Sequence, residues 1–202
     1  MKLVVVGGHT RNIGKTSVAA GLIAGTRELG WTALKLTQYG HNICSADGRA
    51  CDCAPENPEH PFSIDQEQNS QSRTDTSRFL AAGAVESYWV RTFQGRLSDA
   101  LPSIRELIAE KPYVLMESNS IVRFLEPDLY LVVLDSRKSD FKRSAREGLD
   151  LADAFAVLEA APPEPAWENV PSSRIARRPV FPVRPPEYFT SELLAFVRSK
   201  LV

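Results

Sequence analysis

Val4-Val5-Val6-Gly7-Gly8-His9-Thr10-Arg11-Asn12-Ile13-Gly14-Lys15-Thr16-Ser17 is the stretch that decides the fold of this chain. An apolar β-branched run ends at a glycine pair. A polar loop follows, and Gly-Lys-Thr then opens Val18-Ala19-Ala20-Gly21-Leu22-Ile23-Ala24, whose spacing is helical. Strand, loop and helix in that order make a phosphate-binding loop. A helix start presents N–H groups that have no intrahelical partner, and the aligned peptide dipoles leave partial positive charge there. A nucleotide phosphate satisfies both. Gly14 lets the backbone come close, Lys15 supplies a cation for the β and γ oxygens, and the Thr16 hydroxyl suits Mg²⁺. Gly8, Thr10, Arg11, Asn12, Ile13, Gly14, Lys15, Thr16 and Ser17 are the expected nucleotide cradle. His9 stands where the common form of the loop has its first glycine, and Gly8 lies one residue further out.

The spacing from Gly8 to Gly14-Lys15-Thr16 resembles the loop of the dethiobiotin synthetases and related amidotransferase-type synthetases. These belong to the signal-recognition/MinD/BioD group of P-loop NTPases. Further along, Asp75-Thr76-Ser77-Arg78-Phe79-Leu80-Ala81-Ala82-Gly83-Ala84 resembles a stretch of the MobB proteins, GTP-binding adapters of molybdopterin-guanine-dinucleotide synthesis. The resemblance implies Mg²⁺-dependent binding of ATP or GTP, with hydrolysis or phosphoryl transfer. It implies a small-molecule acceptor or a partner protein of cofactor biosynthesis, and a homodimer. It gives Lys35, at the end of the second strand, a place facing phosphates and substrate. It places the Asp75 carboxylate near Mg²⁺ and the attacking group. Glu117 matches a glutamate that both families carry at this point. One departure counts against biotin synthesis: Ser118-Asn119-Ser120-Ile121-Val122 stands where the synthetases have a glycine-rich substrate loop.

Composition narrows the remaining classes. The 202 residues are 43% hydrophobic and 24% charged, which fits one globular domain over residues 1–202. A net charge of −1 gives no electrostatic footprint for nucleic acid. No apolar run is long enough to span a bilayer, and the amino terminus enters a strand directly, so the expectation is a cytoplasmic protein.

Trp31 to Thr37 reads as the second strand, after a helix from Val18 to Leu29 with Gly30 as its C-cap. Lys35 either faces the phosphates or snorkels at the strand end. Residues 38–74 lack a sustained apolar period and are rich in Pro, Gln, Asn and Ser, so they read as a long loop insertion, a lid or a metal-binding loop. The insertion carries His41-x2-Cys44-x6-Cys51-x-Cys53. These four ligand types suit Zn²⁺ or an iron–sulfur cluster, with His60 as a spare. Reduced thiols, or a Cys51–Cys53 or Cys44–Cys51 redox pair, are the alternatives.

Asp75 opens a helix reaching about Gly83, and Arg78, one turn on, either touches phosphate or pairs with Asp75. Strands are expected at Val85 to Thr92, Tyr113 to Met116, Leu129 to Leu134 and Ala154 to Glu159, with helices at Leu97 to Glu110 and Phe141 to Leu151. Glu117 ends its apolar strand, where a carboxylate holds Mg²⁺ directly or through water. The charged stretch Asp135 to Asp140 has Lys138 and Asp140 as a shadow of a guanine-reading motif but reads as a solvated loop. Pro179 to Val183 reads as an edge strand and Ser191 to Leu201 as a closing helix. Alternating strands and helices predict an α/β fold, a mostly parallel sheet with helices on both faces, of P-loop NTPase type. In that fold Glu117 and Asp75 converge on the loop.

Overall fold

The computed structural model describes residues 1–39, 62–158, 167, 170 and 172–201. The strands are β1 (Lys2–Gly8), β2 (Thr32–Tyr39), β3 (Phe62–Gln66), β4 (Glu86–Phe93), β5 (Tyr113–Glu117), β6 (Leu129–Asp135), β7 (Ala154–Leu158) and β8 (Val180–Val183). They form one sheet in the order β3-β4-β2-β5-β1-β6-β7-β8. Every pairing is parallel except β3 with β4. The helices are α1 (Lys15–Gly25), α2 (Asp75–Ala82), α3 (Leu97–Ile108), α4 (Arg143–Gly148), α5 (Ser172–Ala176) and α6 (Ser191–Leu201).

Side chains alternate across each strand, so the central strands feed two cores. On one face Val4 and Val6 of β1, Leu115, Leu131 and Val133 pack on Val18, Leu22 and Ile23 of α1, Phe79 of α2 and Leu193 and Val197 of α6. On the other face Leu3 and Val5, Val114, Met116, Val132 and Leu134 pack on Leu97, Leu101, Ile104 and Ile108 of α3. A sheet covered on both sides needs continuous apolar strands, which is why β1 and β6 read so clearly in the sequence. Each fully buried Val, Leu or Ile contributes about 1.5–3 kcal/mol.

Three departures from the sequence reading have simple causes. The first helix stops at Gly25, and a 3₁₀ turn over Arg27–Leu29 carries the chain to Gly30. Thr26 is the reason: its hydroxyl donates to the Leu22 carbonyl at 2.6 Å and accepts the Trp31 indole N–H at 2.9 Å, tying the helix end to β2. The second departure is β3, inside the stretch expected to be loop. Phe62 and Ile64 alternate with Ser63 and Asp65, and both apolar side chains pack on the second core. Five residues of strand pattern are easily hidden in a polar insertion. The third is the short α5, which the proline-rich surroundings concealed.

Candidate functional site

Parallel strands end at a common edge, and that edge gathers the chemistry. Val6 of β1 and Lys35 of β2 are both in register with Glu117 of β5. Gly8 is opposite Val133 of β6. The loop from His9 to Gly14 therefore rises between β5 on one flank and β6 on the other.

Two residues of the loop have left-handed backbone, Asn12 at φ 54° and Gly14 at φ 82°. Gly14 is the N-cap of α1 and offers no capping side chain, so the first amides of the helix stay open to an incoming anion. Lys15 turns back over the loop, and its ammonium donates to the Thr10 carbonyl at 2.7 Å. Burial pushes the Lys15 pKa down to about 8; Lys35 and Lys142 add to the push, and Glu117 and Asp75 oppose it.

On the β5 flank, the Thr16 hydroxyl donates to Glu117 Oε2 at 2.7 Å. The Lys35 ammonium lies between two carboxylates. It bonds Glu117 Oε1 and meets Asp75 Oδ2 at 3.0 Å. Burial alone would lower the Lys35 pKa, but the charges of Glu117 and Asp75 outweigh it and the net shift is upward. Glu117 is itself 2% exposed, and each of its carboxylate oxygens has a partner, Thr16 on one and Lys35 on the other. Arg78 lies 3.8 Å from Asp75, the pairing that is one of its two expected roles, and also donates to the Ser17 hydroxyl at 2.8 Å. Asp75 is set in place by the N-cap of α2, where the Thr74 hydroxyl accepts from the Ser77 amide.

On the β6 flank, Arg137 to Asp140 are exposed, as a solvated loop requires, yet the stretch is also tied to the phosphate loop. Asp140 accepts a hydrogen bond from the Thr10 hydroxyl, and the Lys142 amide donates to the His9 carbonyl at 2.9 Å. The His9 ring is fully buried, 5.2 Å from Phe141 and 5.5 Å from Trp167 between ring centres. Its Nε2 lies 3.2 Å from the Lys138 carbonyl, which can only accept, so Nε2 carries the proton. Burial lowers the His9 pKa, and Nδ1 is left as a buried lone pair without a partner among the described residues.

Sequence reasoning did not single out Asn119 as a site residue, or Asp140 and Lys142 as loop partners. Asn119 follows the Walker-type glutamate by two positions and bonds both backbone groups of Gly8. Its place just past a strand's carboxyl end was the available signal. His41, Cys44, Cys51 and Cys53, with His60, lie outside the described residues. Among the described residues no group of three or more His, Cys, Asp or Glu side chains is arranged to hold a metal ion, and no helix is long and apolar enough to cross a membrane.

The donor set of the site suits a magnesium nucleotide. Thr16, Glu117 and Asp75 offer hard oxygen donors around a point now filled by the Lys35 ammonium, which is the donor chemistry Mg²⁺ requires. Open helix amides and Lys15 suit the phosphates. The residues fit both groups.

No protein-family model matches the chain, and no curated protein matches it in sequence. Among solved structures, HypB from Helicobacter pylori in complex with nickel is similar, with a TM-score of 0.54 at 15% identity over 98% of this chain and 86% of that one. LpxK from Aquifex aeolicus in complex with ATP gives a TM-score of 0.49 at 14% identity, over 90% of this chain and 53% of that one. Such low identity speaks to the fold alone. The strand order, the loop and the likeness to HypB agree that this chain has the α/β fold of the P-loop NTPase type.

Proposed function

We propose that the protein binds a nucleoside triphosphate with Mg²⁺ and catalyses its hydrolysis or the transfer of its terminal phosphoryl group. The carrying observation is the hydrogen bond of 2.7 Å from Thr16 to Glu117, which joins the phosphate loop to the end of β5 where Asp75 also arrives through Lys35. Bound Mg²⁺ would neutralise charge on the β and γ oxygens. Thr16 and Glu117, with Asp75, would hold it. Lys15 would leave the Thr10 carbonyl for the phosphates, whose negative charge favours its protonated form. Lys35 bridges Glu117 and Asp75 and so holds the two carboxylates together at the place where the metal would bind. Catalysis of this kind is positioning and electrostatics, and these residues supply both. Water, or a carboxylate or carbamate acceptor, would complete the reaction.

The test is Lys15→Ala. Nucleotide titration followed by calorimetry should show binding of ATP or GTP to the wild type and none to the variant, with the circular dichroism spectrum unchanged. Equal affinity in the two proteins would sink the assignment.

A second reading is supported by one sequence feature. His41, Cys44, Cys51 and Cys53 follow β2 directly, and a metal held there would make the protein a nucleotide-gated carrier. HypB was solved with nickel, but the likeness to it concerns the fold, so this reading stands on the motif. Elemental analysis of protein purified without added metal decides it. Stoichiometric Zn or Fe, lost on replacing Cys44 and Cys51, supports a carrier; metal-free protein removes it.

A further inference from the structure

We propose that Arg11 and Lys142 hold a second oxyanion, beside the one cradled by the loop amides and Lys15. This rests on the nucleotide reading above and adds a residue from outside the loop, Lys142, to its site.

The two rims of the loop differ in charge. The β5 rim has two carboxylates, Glu117 and Asp75, around one ammonium, that of Lys35. With Arg78 3.8 Å from Asp75 the carboxylates of that rim are balanced by cations, and their oxygens suit a metal ion. The β6 rim has Arg11 at the outer turn of the loop and Lys142 at the start of α4. Their proximity follows from the backbone: the Lys142 amide bonds the His9 carbonyl at 2.9 Å, two residues from Arg11. The nearest carboxylate, Asp140, already accepts the Thr10 hydroxyl. Among the described residues, neither the Arg11 nor the Lys142 side chain makes an ion pair or hydrogen bond. The rim is therefore net positive.

Two like charges do not rest together, partly out of water, without an energetic cost. The Lys142 pKa is lowered, chiefly by burial and then by the Arg11 charge, with Asp140 opposing. An anion between them relieves that cost. Arg11 is exposed and offers a planar fork, and Lys142 offers a point charge, a combination suited to a tetrahedral or carboxylate oxyanion. The helix start takes the inner phosphate of a nucleotide, so the anion on the outer turn is the next one out. That chemistry is shared by the terminal phosphate of a triphosphate and by the phosphate or carboxylate of an acceptor.

Calorimetric titration of the whole protein with Mg²⁺ and ATP, GTP, ADP or GDP separates the two sources, with Arg11→Ala and Lys142→Ala beside the wild type. If the anion is the terminal phosphate, each variant loses about tenfold or more in triphosphate affinity with diphosphate affinity unchanged. If it belongs to an acceptor, nucleotide affinities hold, and orthophosphate binding to the diphosphate-loaded wild type is lost in both variants. Arg11→Lys should restore part of either effect. Equal losses for di- and triphosphates, or no change in any titration, overturn the proposal. Should the wild type bind no nucleotide, the nucleotide reading fails by itself. Orthophosphate titrated into the free protein then decides the pair, with binding expected to depend on Arg11 and Lys142 and absence of binding ending the proposal.

Discussion

The Asn119 carboxamide closes two hydrogen bonds on the backbone of Gly8, accepting from its amide at 2.6 Å and donating to its carbonyl at 2.7 Å. It acts as a strand neighbour for β1 at the point where β5 has ended beside it. The approach is close enough that a Cβ on Gly7 would lie 2.8 Å from Asn119 Oδ1 and 2.5 Å from the Tyr130 hydroxyl. Asn119→Leu leaves both Gly8 groups without partners. It should cost about 2 kcal/mol or more in urea unfolding, since each orphaned buried backbone group costs about 1–3 kcal/mol. Asn119→Asp keeps the acceptor and puts a charge against the Gly8 carbonyl, so it should be no better. An unchanged unfolding midpoint in both variants would show that the loop base is held by its strands alone.

Lys15 gives a pH dependence to ligand binding. Its folded-state pKa is about 8 without a phosphate, below the ordinary lysine value of 10.5 because of burial. An anion in the loop favours the charged form, so binding above pH 8 takes up a proton. Affinity for a triphosphate should therefore be flat below pH 8 and fall by up to about tenfold per pH unit above it. The free protein shows the reverse sign: between 8 and 10.5 the unfolded chain binds more protons at this site, so the Lys15 contribution to stability rises with pH. Lys15→Arg, which stays charged throughout, should flatten the binding profile. A wild-type profile that is already flat from pH 7 to 9.5 would mean that Lys15 titrates normally.

Much of the fold was legible because the central strands are apolar on both faces. Val4-Val5-Val6 and Leu129 to Leu134 could only be buried parallel strands, and the glycine and lysine at Gly14-Lys15 fixed where the helix began. The convergence of Glu117 and Lys35 followed from parallel strands sharing one edge, which Asp75 reaches from the start of α2. The tether between Thr10 and Asp140 was not legible, because it joins residues 130 positions apart through two polar side chains. Charge in a sequence tells nothing of whether a partner arrives from elsewhere. Ser63 and Asp65 hid β3 for a related reason: the polar half of an edge strand resembles a loop. The finer likeness to dethiobiotin synthetases and MobB proteins rests on short motifs, and the fold is shared far more widely than they are.

Lys35 is the residue to remove in order to expose the acidic rim. Lys35→Met leaves Glu117, fully enclosed, and Asp75 without their shared cation. In the presence of a chelator the variant should be less stable by about 3–5 kcal/mol, the usual cost of breaking a buried ion pair. Millimolar Mg²⁺ should restore part of that loss by binding where the ammonium was, even without nucleotide. The wild type, whose rim is already neutralised, should respond little. Thermal melts of both proteins with and without Mg²⁺ read the difference, and a variant insensitive to Mg²⁺ would separate Glu117 from Asp75 as metal ligands.

His9 makes the loop base sensitive to acid. Burial between Phe141 and Trp167 lowers its pKa below the ordinary 6.5, and its one bonded nitrogen donates to the Lys138 carbonyl. The folded ring therefore stays neutral where the unfolded ring takes a proton. With fewer protons bound in the folded state, stability is fully present above pH 6.5 and declines as the pH falls below it, by at most about 1.4 kcal/mol per unit from this group. His9→Gln keeps a donor for Lys138 and cannot titrate. It should be less stable than the wild type at pH 7 because the aromatic contacts are gone. Between pH 7 and 5.5 that gap should narrow, by at most about 1 kcal/mol, since only the wild type loses the histidine contribution. Urea unfolding at the two pH values measures the gap. A constant gap would mean that the ring takes up its proton inside the fold, with Nδ1 finding an acceptor that the neutral ring does not use.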